Sequence, residues 1–134
     1  MTTQMKPQDA IAVISMCAMQ ADERIKPVEL RKLATLITLS PLYRHIEDPA
    51  AYISELNREF SGADIEKILD RAIESLSPQL CETAYAWACE IVSADLGASQ
   101  EEHACLSLLV KKLGLHGELA GKIAAVVAIL NRKE

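Results

Sequence analysis

Apolar residues recur at helical spacing in seven segments of this chain, and short polar loops separate the segments. We expect helices at about 8–21, 27–39, 50–60, 63–76, 78–94, 100–113 and 117–131, with a short helical turn at 42–46. The first and fifth segments are apolar nearly all round, which is typical of buried helices. We therefore expect these two helices to pack against each other at the centre of an all-α bundle.

The last segment has a different pattern, with a stripe of larger apolar residues on one side. A single inward-facing stripe is expected to bury Leu119, Ile123, Val126, Val127 and Leu130.

One pattern occurs twice, 73 positions apart. An Ala-Asp pair ends the first and fifth helices, and a Glu follows seven residues after each Asp, in the first turn of the next helix; these acidic residues are Asp22, Glu29, Asp95 and Glu102. Leucines of the following helices repeat at the same offset. Self-similarity at a fixed offset predicts a duplicated helix–loop–helix unit, with the two units related by an approximate twofold axis. Residues 1–134 are expected to form one domain.

Composition narrows the class of protein. Half of the 134 residues are apolar but only 4% are aromatic, so the core must be aliphatic. The net charge of −5 and the scattered Lys and Arg residues argue against a nucleic-acid partner. The longest apolar stretches are too short for a membrane span, and the first residues lack the pattern of a secretory signal. We expect a cytoplasmic protein with reduced cysteines.

The doubled Ala-Asp…Glu loop, between an apolar helix and a Leu-rich one, resembles the TerB-like family of tellurite-resistance domains and their relatives. The second copy also carries Leu113-Gly114-Leu115, which is similar to the family pattern, whereas the Gly that follows each Asp in the family is absent here. The resemblance covers about residues 8–131. It implies an all-α domain of about seven helices in a bacterial stress response linked to tellurite resistance.

The four repeated carboxylates are the candidate site. If the twofold axis brings the loops together, Asp22, Glu29, Asp95 and Glu102 would offer the clustered oxygens that Ca²⁺ or Mg²⁺ requires, or an acidic surface for a basic partner. The alternative is that Asp and Glu only cap helix ends. No other cofactor is indicated.

The remaining candidates for chemistry are less specific. The three histidines are isolated, and the four cysteines (Cys17, Cys81, Cys89 and Cys105) contain no Cys-x-x-Cys pair, so small buried side chains are expected rather than a soft-metal cluster. No phosphate loop or nucleophile motif is present. The predicted function is a non-enzymatic module that binds a divalent cation or a protein partner, such as other stress-resistance proteins; the alternatives are an interaction scaffold or, less favoured, an enzyme. The oligomeric state is left open.

Overall fold

The structure of the protein, a computed structural model, describes residues 5–20, 26–94 and 99–132. Within these ranges the chain forms seven α-helices and a 3-10 turn at Pro41–Tyr43, and no strand. The helices are α1 (Pro7–Met19), α2 (Pro27–Leu39), α3 (Pro49–Phe60), α4 (Ile65–Glu74), α5 (Pro78–Ser93), α6 (Gln100–Leu113) and α7 (Gly117–Leu130). The prediction of an all-α bundle is confirmed.

Helix boundaries follow local capping chemistry. Helix α4 is shorter than predicted because the Asp64 side chain accepts from the Glu66 N–H at 3.0 Å, so that the helix begins after Asp64 rather than at Ala63. The predicted turn at 42–46 lies earlier, because Ser40 caps it by accepting from the Leu42 N–H at 3.3 Å.

Helices α1 and α5 form the centre, as predicted. Every residue of α1 from Ala10 to Met19 is buried, and the single hydroxyl among them, that of Ser15, donates to the Ile11 carbonyl at 3.0 Å. In α5, Trp87 is buried and stacks on Tyr43 of the 3-10 turn with ring centroids 5.3 Å apart. Two central helices with almost no polar face leave the other helices to cover them.

Some of the contacts between the outer helices and the central pair are reciprocal. Helix α2 packs on α5 and α6 packs on α1, while α3 packs on α1 and α7 packs on α5. These pairs are reciprocal about the α1–α5 interface, whereas α4, which packs on α1, has no counterpart against α5 among the described helices. The starts of α2 and α6, which are equivalent positions in the two units, therefore face the same region of the centre.

Helix α7 departs from the prediction. Of its five residues expected to face inward, Val127 is buried, but Val126 and Leu130 are 54% and 70% exposed. Helix α7 packs mainly on α5, and one neighbour cannot cover a helix that is apolar on several sides. Among the described helices, none combines the length and apolar character needed to cross a membrane.

Candidate metal centre

The two first-turn glutamates of the repeat meet inside the protein. Glu29 in α2 and Glu102 in α6 are both fully buried, at 0% exposure, although Glu is among the residue types least often buried. Their carboxyl groups are close enough for that of Glu102 to raise the pKa of Glu29. The structure thus places two of the four predicted site residues side by side, and their complete burial was not predicted.

One oxygen of each carboxyl group caps the helix that carries it. Glu29 Oε1 accepts from the Lys26 N–H at 3.2 Å, and Glu102 Oε1 accepts from the Ser99 N–H at 3.0 Å. In α6 the cap is reciprocal, because Ser99 Oγ accepts from the Glu102 N–H at 3.1 Å. In α2 it is one-sided, because the ammonium group of Lys26 has no lone pair with which to accept.

The second oxygen of each carboxyl group lacks a hydrogen bond within the described part of the chain. Glu29 Oε2 and Glu102 Oε2 are buried and accept from no donor among the described residues. A buried acceptor without a donor costs roughly 1–3 kcal/mol, and more when the group is charged. Helix capping therefore accounts for the hydrogen bonds of one oxygen in each carboxyl group. The other oxygen of each group would be satisfied by a proton or a cation.

The electrostatic environment of the pair also disfavours the charged form of Glu29. Burial, and after it the neighbouring Glu102 carboxyl group, raise the pKa of Glu29 from 4.5 to about 7, against the lowering effect of Lys26. Lys26 Nζ lies 3.7 Å from Glu102 Oε1 and its side chain is 24% exposed, so it places one positive charge beside two carboxyl groups. The pKa of the Glu29 carboxyl group therefore lies close to neutral pH.

The other two predicted ligands, Asp22 and Asp95, lie outside the described residues. Each precedes its glutamate by seven positions, in the segments 21–25 and 95–98. Within residues 5–20, 26–94 and 99–132 no group of three or more His, Cys, Asp or Glu side chains is arranged to hold a metal ion. The described part of the candidate centre is thus the Glu29–Glu102 pair with Lys26.

The cysteines supply no ligand set in the described part of the chain. Burial raises the pKa of all four thiols, that of Cys17 to about 12. Cys105 lies one turn after Glu102, and the charge of Glu102 adds to the effect of burial on the pKa of its thiol. Thiols held in the protonated form are poor nucleophiles and poor metal ligands. His103, on the same helix, is exposed.

Lys26 is the residue of this centre that the sequence prediction missed. It occupies the position 73 residues before Ser99, so it is the twofold counterpart of a capping serine. The sequence did contain a signal for it, namely a lysine at the position where the other copy has a capping serine. A cation at the start of a helix is unfavourable unless carboxylates compensate it.

Comparison of the chain with protein-family models, with curated proteins and with solved structures finds no match in any of the three.

Proposed function

We propose that the protein is a non-enzymatic, TerB-like helical module that binds a divalent cation between its two repeated units. The observation that carries this proposal is the pair of buried, unmatched oxygens, Glu29 Oε2 and Glu102 Oε2. Asp22 and Asp95, in the adjoining loops, are proposed to complete the ligand set together with water.

The chemistry of the donors favours a hard cation. Carboxylate oxygens suit Ca²⁺ and Mg²⁺, whereas the sulfur and imidazole ligands that softer metals prefer are protonated or exposed here. A divalent ion would also offset the two like charges that burial makes costly. Because an ion competes with the proton of the Glu29 carboxyl group, we expect binding to strengthen between pH 6 and pH 8.

Thermal unfolding with and without cation tests this proposal. Binding to the folded state alone raises the free energy of unfolding by about 2.7 kcal/mol at a ligand concentration of 100 Kd, which for a domain of this size corresponds to a rise of about 5–10 °C in Tm. We expect such a rise with millimolar Ca²⁺ or Mg²⁺ at pH 8. It should be lost in the double variant Glu29→Gln/Glu102→Gln and reduced in Asp22→Asn/Asp95→Asn.

A matched control is the double variant Glu55→Gln/Glu59→Gln, which removes two exposed carboxylates from α3. It should keep the full response to cation. If the wild type shows no cation-dependent change in Tm at either pH, cation binding is refuted.

The second candidate function is a protein-interaction scaffold in which the acidic residues serve only as helix caps. The observed bonds from the Lys26 and Ser99 N–H groups to the two Oε1 atoms favour it. Under this alternative the acidic residues would bind neither a cation nor a partner, and cations would leave Tm unchanged. A role in a tellurite-linked stress response of the bacterial cytoplasm belongs to either proposal and rests on the resemblance of the repeated loops alone.

A further inference from the structure

The outward face of α7 is an apolar surface without a neighbour among the described residues. Between Gly117 and Leu130 the only charged residues are Glu118 and Lys122, yet only Ala120 and Val127 are buried. A helix of such composition normally lies in a protein interior. The exposed apolar residues include Val126 and Ile129, which are 54% and 53% exposed.

This face has the spacing of a helix–helix contact. Its midline is exposed throughout and is formed by Glu118, Lys122, Ala125, Ile129 and Arg132, which are separated by four, three, four and three positions. Alternation of three and four is the spacing of a seam between two packed helices; here Ala125 and Ile129 are its apolar members, and Glu118, Lys122 and Arg132 are charged. Arg132 continues the last turn, because its N–H donates to the Ile129 carbonyl at 3.3 Å.

The charges at the two ends of the midline are complementary to those of a second, antiparallel copy of the same helix. Glu118 lies seven residues before Ala125 and Arg132 lies seven residues after it. An antiparallel copy of the same helix, crossing at Ala125, therefore places Glu118 opposite Arg132 at both ends of the contact. A parallel copy would place like charges opposite each other at both ends.

The rest of the fold holds this face in place. At the end of α7 the Asn131 side-chain amide donates to Glu90 Oε1 of α5 at 2.5 Å, and Lys32 Nζ of α2 lies 3.2 Å from Glu90 Oε2 and 3.3 Å from Asn131 Oδ1. These bonds fix the rotation of α7 about its axis, so the apolar face is preformed. Preformed surfaces lose little entropy on binding.

We propose that this face of α7 is the interface of an antiparallel homodimer, formed with a second copy of the chain about a twofold axis at Ala125. Such an interface is isologous, so each residue meets its counterpart reciprocally. The contact is one helix of 14 residues on each side, about 21 Å long, which is small for a stable interface. We therefore expect a reversible dimer with a Kd in the range of about 1–100 µM.

Sedimentation velocity across about 1–500 µM protein at low salt tests the dimer, with charge exchange testing its geometry. Glu118→Arg and Arg132→Glu should each weaken dimerisation roughly tenfold, because each sets two like-charge pairs in place of two opposite ones. The double variant restores both pairs and should dimerise within about threefold of the wild type. Ile129→Asp should be monomeric, while its matched control, Ile65→Asp, should dimerise as the wild type does. Ile65 is 46% exposed and lies on α4.

A wild-type chain that stays monomeric over this range would overturn the proposal, and so would equal losses from Ile129→Asp and Ile65→Asp. A double variant no better than the single variants would overturn the antiparallel register. Circular dichroism checks that each variant is folded, which is expected because the altered side chains are exposed in the monomer.

Discussion

Replacing Glu29 by Gln should make the protein more stable at pH 8, although the residue is buried and caps a helix. The Gln amide keeps an oxygen that can accept from the Lys26 N–H, and it adds N–H donors that can satisfy the unmatched Glu102 Oε2. It also removes one of two buried carboxylates that disfavour each other's charge. A gain in stability at a residue proposed to bind a ligand is the expected sign of a site held for function.

The magnitude follows from the pKa of Glu29. Because burial raises this pKa from 4.5 to about 7, the folded protein holds more protons than the unfolded chain between these pH values. The contribution of Glu29 to the free energy of unfolding is therefore greatest below pH 4.5, falls as pH rises to about 7, and is constant above. The full pKa shift of Glu29 corresponds to a change of about 3 kcal/mol in the free energy of unfolding. Lys26 is partly exposed, and solvent near it screens part of the effect, so we expect a fall of about 1–2 kcal/mol.

Urea unfolding between pH 5 and pH 8.5, with a chelator present, measures this effect. The difference in free energy of unfolding between Glu29→Gln and the wild type should grow by about 1–2 kcal/mol in favour of the variant as the pH rises. Glu59→Gln, at an exposed position of α3, is the matched control and should show no such pH-dependent difference. A Glu29→Gln variant that is less stable than the wild type by the same amount at every pH would refute this reasoning, because it would mean that Glu29 is fully ionised and well compensated.

Two further predictions concern the core and the second cap. Val13→Asp places an unpaired charge at a position only 3% exposed and should cost at least about 3–5 kcal/mol, enough to abolish cooperative melting in circular dichroism. The control variant Val126→Asp, at an exposed position, should still melt cooperatively. A folded Val13→Asp variant would contradict the central position of α1. Ser99→Ala removes the acceptor of the Glu102 N–H and should lower the free energy of unfolding by about 1 kcal/mol, measured in urea. The control variant Ser107→Ala, on the exposed side of α6, should change stability little. Equal effects of the two variants would show that the cap contributes nothing.

Capping and cation binding are compatible in this structure, although the sequence presents them as alternatives. The Oε1 atoms of Glu29 and Glu102 satisfy backbone N–H groups, which is the capping role. The Oε2 atoms are left for another partner. A carboxyl group has two oxygens, so a single residue can end a helix with one and offer the other as a ligand.

The positions of the helices could be predicted from the amino-acid sequence. Apolar spacing, Pro at the first helical position and Ser or Asp caps are local signals, so they place α2, α3 and α6 closely without knowledge of the fold. The nearly all-apolar patterns of α1 and α5 likewise identified the centre, because only a buried helix lacks a polar face.

The burial of Glu29 and Glu102 beside each other could not be predicted from the sequence, because it depends on how whole helices pack. A Glu in the first turn of a helix usually faces solvent, and the same local sequence would cap equally well there. Burial arises because α2 and α6 cross the central helices with their first turns facing inward, an arrangement of segments 73 residues apart in the chain. The exposure of α7 was decided in the same way: periodicity shows that Val126 and Leu130 are apolar, but only the packing of whole helices shows that α5 covers one side and leaves the other open.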